Sequence, residues 1–296
     1  MTDWAPRRRL DWGTVSRYVV MGFFAFVFIF PLAFMLSGSL KPHDQLIGDM
    51  SSARAFLPVG DLSLDSYRFV FEVVPVERMM LNTVLISGVT VIFGLIVNSM
   101  AGFAIARLEW RGRGLVLSLV IALLILPFET VAVPLLWIAA ALPMIGFEEG
   151  ALVLERGWLN TYHVQAFPFI ANVLAIFLFA QYFRSLPVEL DEAARIDGAG
   201  PFTIYRRIVM PLSGPVVATV AILTFLPIWN SYLWPLMSVQ TESVRPIMIG
   251  VSYFAGYGVS GPSLALLTMA VLPVLLLFLA LQRQFVESIA ASGVKG

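Results

Sequence analysis

Six long runs of apolar residues alternate with short polar segments along the 296-residue chain. The runs lie near residues 18–38, 80–106, 115–139, 161–183, 215–237 and 263–282. A helix that rises about 1.5 Å per residue needs roughly 20 residues to cross about 30 Å of hydrocarbon, and each run meets that requirement. The pattern therefore predicts an all-α integral membrane protein, with six transmembrane helices in residues 18–283.

Basic residues are distributed unequally between the two sides of these predicted spans. Of the 19 Lys and Arg residues, thirteen flank one side and six flank the other. Since Lys and Arg are retained on the cytoplasmic side during insertion, both termini are predicted to be cytoplasmic. The cytoplasmic parts are then the N-terminal segment 1–17, the loop 107–114, the loop 185–214 and the tail 284–296.

Composition supports the lipid bilayer as the surroundings of this chain and narrows its chemistry. Hydrophobic residues make up 59% of the sequence, and the mean hydropathy is +0.86. Basic and acidic residues balance at 19 each, which argues against a nucleic-acid partner because phosphate binding needs concentrated positive charge. With no Cys and only His43 and His163, a Cys/His metal site or Cys nucleophile is excluded. No catalytic residue and no metal site are predicted.

One face of the second predicted span carries small and polar residues. Thr90, Gly94, Asn98 and Gly102 recur every four residues and so share a helix face. Small residues allow close helix approach, and an amide needs a hydrogen-bond partner inside a membrane. Two interpretations follow: packing within this chain, or a subunit interface or substrate wall, with Asn98 as a candidate path residue.

The third predicted span contains a carboxylate next to helix-breaking residues. Glu129 follows Pro127 and precedes Pro134 in an otherwise apolar run. A carboxylate at membrane depth is costly unless it is paired or beside water, and is then a candidate for function. Alternatively, at about 24 Å along a helix from Arg113, Glu129 simply reaches solvent at the outer interface.

The fifth predicted span carries polar and aromatic residues after Pro227. Trp229, Asn230 and Tyr232 are candidates for the translocation path, because interrupted helices line cavities and aromatic rings stack on sugar-like ligands. An interfacial Trp/Tyr belt explains the same residues.

The loop 185–214 has the pattern of two short helices outside the bilayer. Ser185 or Leu186 is predicted to cap the first helix, and Gly198 suits a left-handed stop. Pro201 is predicted to start a second short helix that ends before Pro211.

The first of these two helices is predicted to dock on a partner protein. Leu190, Ala193, Ala194 and Asp197 share a face at helical spacing. The two alanines make that face thin enough to enter a groove, and Glu192 or Asp191 is placed to meet a basic side chain.

This loop resembles the EAA loop of binding-protein-dependent ABC importer permeases. Glu192-Ala193-Ala194 is followed, after three residues, by Gly198 and, after nine more, by Ile208-Val209-Met210-Pro211, where Met210 replaces the usual Leu. Three further stretches are similar to the carbohydrate-uptake, MalG-type branch of these permeases: Leu159–Tyr162, Trp229-Asn230 with Trp234–Leu236, and Gly293–Gly296.

The resemblance implies a type I ABC importer permease fold in a bacterial or archaeal plasma membrane. It implies a heterodimer with a second permease, two ATPase subunits that bind ATP and Mg, and an extracytoplasmic sugar-binding protein. The solute would be a di- or oligosaccharide or a sugar-phosphate-like molecule, and residues 147–156 resemble an insertion without an assigned role. The ATPase-coupling residues would be Glu192, Ala193, Ala194, Asp197, Gly198, Ile208 and Pro211.

Two rival classes differ in what they need. An ion-coupled secondary transporter needs ionisable residues near the midplane and internal repeats, and a membrane-embedded enzyme needs an acid/base pair. The sequence has no convincing instance of either. It also contains no phosphate-binding Gly-rich loop of the Gly-x-x-x-x-Gly-Lys-Ser/Thr type, so this chain is expected to bind no nucleotide cofactor and to be no enzyme.

Overall fold

The computed structural model describes residues 12–148, 151–254, 256 and 258–293. Residues 1–11 of the predicted cytoplasmic segment, residues 149–150 of the predicted insertion and residues 294–296 of the predicted tail lie outside the described residues. Helices dominate the described part. In chain order its α-helices are α1 (Trp12–Ser39), α2 (His43–Asp49), α3 (Asp65–Val73), α4 (Val76–Arg107), α5 (Arg113–Leu123), α6 (Phe128–Ala141), α7 (Tyr162–Ala166), α8 (Val173–Ser185), α9 (Glu189–Ile196), α10 (Pro201–Ile204), α11 (Gly214–Trp229), α12 (Leu233–Ser238), α13 (Ile247–Tyr253) and α14 (Gly261–Gly293).

The predicted membrane spans are present, although two of them differ in shape from a single helix. Within the described residues, five helical segments are long and apolar enough to cross a membrane, and a sixth span is obtained when α5 and α6 are joined. The segments α5 and α6 meet at an angle of 109°. The third span, predicted over 115–139 with interruptions at Pro127 and Pro134, is sharply broken at the first of them, because Pro127 removes a backbone donor where the helix would continue. Pro134 lies inside α6 and does not break it.

The fifth span is interrupted. It is predicted over 215–237, and one of its two interpretations expects a broken helix after Pro227; in the structure α11 ends at Trp229 and α12 starts only at Leu233. The Asn230 side chain donates to the Leu226 carbonyl at 2.9 Å, in competition with the helix backbone. Pro235 has no amide hydrogen to donate to Ser231, so a continuous helix would lose a bond there as well.

A two-stranded antiparallel β-hairpin departs from the predicted all-α fold. The strands β1 (Pro143–Glu148) and β2 (Ala151–Arg156) pair in a register that places Pro143 opposite Arg156. The hairpin covers most of the predicted 147–156 insertion. Gly157, with φ of +101°, follows it and donates its backbone N–H to the Leu142 carbonyl at 2.9 Å.

The chain forms two compact units, each with its own interior. The first comprises described residues of Met1–Val74 and Tyr253–Val271, and it contains α1, α2, α3 and the start of α14. The second comprises Pro75–Ser252 and described residues of Leu272–Gly296.

A buried ion pair organises the segment after α1 in the first unit. Lys41 is fully buried, and its Nζ donates to Asp49 Oδ2 at 2.9 Å and to the Arg54 carbonyl at 2.6 Å. Gln45 Nε2 donates to the Val59 carbonyl at 2.7 Å. The hydrogen bond from Lys41 lowers the pKa of Asp49 below its ordinary value, against the opposing effect of burial. The pair therefore holds the end of α2 beside the 3₁₀ turn Ala53–Phe56.

We expect this segment to depend on pH through Asp49. Because its pKa is lowered in the folded chain, the ion pair contributes stability above the ordinary value of 3.8 and loses it as pH falls through the lowered value. Lys41→Met removes the main cause of the lowering. Hydrogen exchange of amides 46–57 should then be faster at neutral pH, and their protection should be lost at a higher pH. Asp44→Asn, an exposed change in the same helix, should leave both quantities unchanged.

The core of the second unit is built around the close approach of α4 and α8. A Cβ at Gly102 would lie 2.6 Å from Phe179 Cβ and 3.0 Å from the Ala180 nitrogen. Thr90 and Asn98 on the same face are fully buried. The small-residue face of the second span therefore packs inside this chain, as the first of its two interpretations has it.

Gly102→Ala should reduce the free energy of unfolding by about 1–3 kcal/mol, because the added methyl group forces the two helices apart. Gly88→Ala is the matched control on the same helix, since a Cβ there meets nothing within 4 Å. It should be neutral or stabilising by roughly 0.5–1 kcal/mol. Equilibrium unfolding in mixed micelles measures both changes, and equal effects would contradict the packing described here.

Candidate functional site

The helix α9 carries the residues predicted to dock on a partner. Its first turn holds Glu189, Asp191 and Glu192, and its last turn holds Arg195, an order of charges that suits the helix dipole. Its N-cap is Val188, which makes no side-chain capping bond.

The predicted cap of this helix is wrong. Ser185 is the last residue of α8, and its hydroxyl donates to the Tyr182 carbonyl at 2.7 Å. Leu186 is the C-cap of α8. The two residues therefore end the preceding helix, since Pro187 keeps the residue before it out of the helical region.

The predicted helix stop at Gly198 is present. Gly198 has φ of +81°, a left-handed conformation that disfavours any side chain. Its neighbour Ala199 donates its backbone N–H to the Ala194 carbonyl at 2.8 Å and closes the end of α9. Gly200 then leads into α10, so that α9 and α10 form the predicted helix, turn and helix.

The two alanines of the motif point in different directions. Ala194 is 9% exposed and packs in a core cluster with Phe103, Phe183 and Ile204, whereas Ala193 is exposed. The expectation that both alanines form one face toward a partner is wrong, because residues adjacent in a helix lie about 100° apart. Ala194 seats α9 on its own bundle, and Ala193 is left free to meet a partner.

A buried ion pair fixes α9 to the end of α4. Arg107 Nη1 lies 3.5 Å from Asp191 Oδ2, and the two side chains are 7% and 5% exposed. Arg107 Nη2 donates to the Leu186 carbonyl at 2.7 Å. Asp191 therefore has a basic partner inside this chain, and Glu192 is the acidic residue of the motif that stays available.

The outward face of α9 is formed by Glu192, Ala193, Ile196 and Asp197, all of them exposed. Ile196 is 86% exposed, the largest exposed fraction among the apolar residues of α9 and α10. Among the described residues, Glu192 has no ion-pair partner. Phe202 on α10 adds a second apolar side chain at 62% exposure.

The second half of the loop 185–214 is held against the helix bundle by side-chain contacts. Residues Tyr205–Val209 form a π-helical turn, and the Tyr205 hydroxyl lies 2.8 Å from Ser99 Oγ on α4. Ile208 packs against the core cluster, while Pro211 is exposed and starts a 3₁₀ turn. Ile208 therefore supports the loop from within, and a coupling role for Ile208 and Pro211 stays a prediction.

The predicted path residues lie in three different environments. Asn98 is fully buried, where its Nδ2 donates to the Ile170 carbonyl at 2.8 Å and its Oδ1 accepts from the Asn172 amide at 2.9 Å. Trp229 is 2% exposed, whereas Asn230 and Tyr232 are exposed at the break between α11 and α12. Asn98 thus joins α4 to the residues directly before α8, and of the predicted path residues only those at the α11–α12 break are exposed.

Sequence reasoning misses Arg107 and Ile196 as parts of this site. Arg107 reads as one of many basic residues flanking a span, because its pairing with Asp191 depends on tertiary structure. Ile196 offers a signal, since its spacing of four residues from Glu192 places both on one face of α9.

These features define a class of protein: a membrane protein with several spans and a short helix that packs on the helix bundle and exposes its outward face. Comparisons with known proteins narrow the class. Residues 91–290 match the profile of the family described as binding-protein-dependent transport system inner membrane component. The chain is 32% identical over 280 residues to the arabinooligosaccharides transport system permease protein AraQ of Halalkalibacterium halodurans, covering 93% of this chain and 94% of that protein.

Two further similarities agree with this match. The chain is 32% identical over 271 residues to the melibiose/raffinose/stachyose import permease protein MelC of Bacillus subtilis, covering 90% of this chain and 91% of that protein. Its fold is similar to a chain in the crystal structure of a bacterial ABC transporter involved in the import of the acidic polysaccharide alginate. There the TM-score is 0.74 at 21% identity, covering 95% of this chain and 99% of that chain.

The chain belongs to the family of binding-protein-dependent transport system inner membrane components. It is accordingly a multi-pass plasma-membrane permease with the type I importer fold. This membership rejects the ion-coupled secondary transporter. The family is one of transport permeases rather than catalytic subunits.

Proposed function

We propose that this chain is a permease subunit of an ATP-driven importer for a carbohydrate. In this proposal it forms half of the translocation path and pairs with a second, different permease. Two cytoplasmic ATPase subunits bind ATP and Mg, and an extracytoplasmic sugar-binding protein delivers the solute.

The observation that carries the coupling part of the proposal is the outward face of α9. A short helix that presents a free carboxylate, a small residue and an exposed apolar side chain is suited to a groove with a basic residue in a partner protein. Ala193 allows close approach, Ile196 fills an apolar pocket and Glu192 meets the basic group. Gly198 lets the chain turn away directly after the helix.

The anchoring contacts support a mechanical role for this helix. Because the Arg107–Asp191 pair and the packing of Ala194 fasten α9 to its own bundle, a displacement imposed on α9 by the ATPase is passed to α4. The bundle then changes between inward-facing and outward-facing packings, since packed cores switch between discrete arrangements.

The carbohydrate assignment rests on the relatives. The two permeases described above are named for the transport of arabinooligosaccharides and of melibiose, raffinose and stachyose, and a third, at 31% identity over 288 residues, is named for lactose. A di- or oligosaccharide is therefore the proposed solute.

Reconstitution tests this function. The chain is co-expressed with its neighbouring permease, ATPase and binding-protein genes, purified and placed in vesicles, and uptake of labelled oligosaccharides is measured. The proposal predicts uptake that requires both ATP and the binding protein. Uptake driven by an ion gradient without ATP, or a purified permease pair that binds no ATPase, would refute it.

A further inference from the structure

Glu129 is a carboxylate in the third predicted span, and it has no part in the proposed contact of α9 with the ATPase. It lies in the first turn of α6, directly after the 109° bend that separates α6 from α5, and its side chain is exposed. Its depth and its surroundings indicate what it faces.

Two measures place Glu129 within the hydrocarbon layer. The helix α5 has 11 residues and so rises only about 16 Å from Arg113 before the bend. Phe128, next to Glu129, has its ring 5.5 Å from that of Phe169. Phe169 lies shortly before α8, whose 13 residues rise about 20 Å to Ser185. Glu129 is thus roughly 16–20 Å from the side that carries α9, inside a layer about 30 Å thick.

A second break lies next to Glu129 at this depth. The ring of Phe128 is 5.9 Å from that of Trp234 in α12, just after the break between α11 and α12. Asn230 and Tyr232 in that break are exposed. Non-helical backbone at membrane depth occurs where it is buried in protein or lines water, not where it meets lipid.

We propose that Glu129 lines the water-filled translocation path, together with the exposed break at residues 230–232. A charged carboxylate facing lipid is strongly disfavoured, whereas a carboxylate beside water is solvated and accepts hydrogen bonds from sugar hydroxyl groups. The same charge repels anions, so the solute is a neutral carbohydrate rather than a phosphorylated or acidic one. This inference rests on the proposed function and assigns a specificity residue to it.

The absence of cysteine from the sequence makes the test direct. Glu129→Cys is introduced, the assembled importer is placed in lipid nanodiscs, and labelling by a membrane-impermeant methanethiosulfonate is followed with and without trapped nucleotide. Thiol reagents need a thiolate in water. Ile92→Cys is the control, because Ile92 is 59% exposed and lies at a similar depth, about 22 Å from Arg107.

We expect the thiol of the Glu129→Cys variant to be labelled at least tenfold faster than that of the Ile92→Cys control, with a rate that changes when nucleotide is trapped. Labelling as slow as that of the control in both states would overturn the proposal and place Glu129 against lipid or the second permease.

The electrostatic part has its own measurement. Asn230→Cys serves as a reporter, and its labelling rates with a cationic and an anionic methanethiosulfonate are compared in the Glu129 and Glu129→Gln backgrounds. A unit charge about 10 Å away in water changes the ratio of the two rates about fourfold. Glu129→Gln should therefore lower the cation-to-anion ratio about fourfold, and an unchanged ratio would refute a charged path wall.

These readouts separate this inference from the proposed function. Labelling needs no sugar. If the Glu129→Cys thiol is not labelled in an importer that takes up oligosaccharide with ATP, only the role of Glu129 is refuted. If the importer shows no ATP-dependent uptake but the thiol of the Glu129→Cys variant is still labelled, the proposed solute is refuted and the place of Glu129 in the path wall is supported.

Discussion

Glu192→Lys is expected to reduce ATP-dependent uptake to less than about one-tenth of the unmodified level while the chain still inserts and folds. Truncating one partner of an interfacial charge pair costs about 2–5 kcal/mol, and reversing the charge adds repulsion. Since the Glu192 side chain is exposed and has no ion-pair partner among the described residues, this loss falls on binding of the ATPase. The measurement combines vesicle uptake with the amount of ATPase that co-purifies with the membrane subunits.

Glu109→Lys is the matched control for this prediction. Glu109 is an exposed acidic residue on the loop between α4 and α5, so the net charge changes equally without touching α9. Uptake should remain near the unmodified level. If an importer with Glu192→Lys binds ATPase and transports normally, Glu192 is not part of the contact between α9 and the ATPase.

The second large effect concerns the ion pair that seats α9. Arg107→Met leaves Asp191 buried without its cationic partner, and breaking a buried pair in this way costs about 3–5 kcal/mol. Equilibrium unfolding in mixed micelles should show this loss in the free energy of unfolding. ATP hydrolysis by the importer should also be less tightly coupled to uptake, because α9 is no longer fixed to α4.

Two further variants separate charge from packing. Arg107→Met combined with Asp191→Leu should recover most of the unfolding free energy, since apolar replacement of both members of a buried pair is often neutral. Arg195→Met makes the same side-chain change at an exposed position of α9 and should alter stability by less than about 0.5 kcal/mol. If Arg107→Met were no more destabilising than Arg195→Met, the pair would not hold the helix.

Much of this fold is local and could be predicted from the sequence. The membrane spans follow from apolar runs of sufficient length, and the stop of α9 follows from Gly198, because only glycine enters the left-handed region readily. That Glu192 and Ile196 share one face of α9 is also local, as it depends only on the spacing of residues within one helix.

The remaining features depend on contacts that a single sequence does not contain. Pro127 indicates a break before Phe128, but the position of α6 after the break depends on contacts of the Phe128 ring with the rings of Phe169 and Trp234, which lie 5.5 and 5.9 Å away in remote parts of the chain. Likewise, helical spacing places Ala193 and Ala194 side by side, but only the core packed beneath α9 determines which of the two is buried.

Site-specific cross-linking from Ala193 shows whether the outward face of α9 contacts the ATPase subunit. The cysteine-free chain receives Ala193→Cys or, as control, Glu109→Cys, and each variant is assembled with its partner subunits and treated with a short thiol-directed photo-cross-linker. Docking through the outward face of α9 should give a product of this 32.7 kDa chain with the ATPase subunit from position 193 and little from position 109. No ATPase product from position 193, or equal products from both positions, would contradict docking through the outward face of α9.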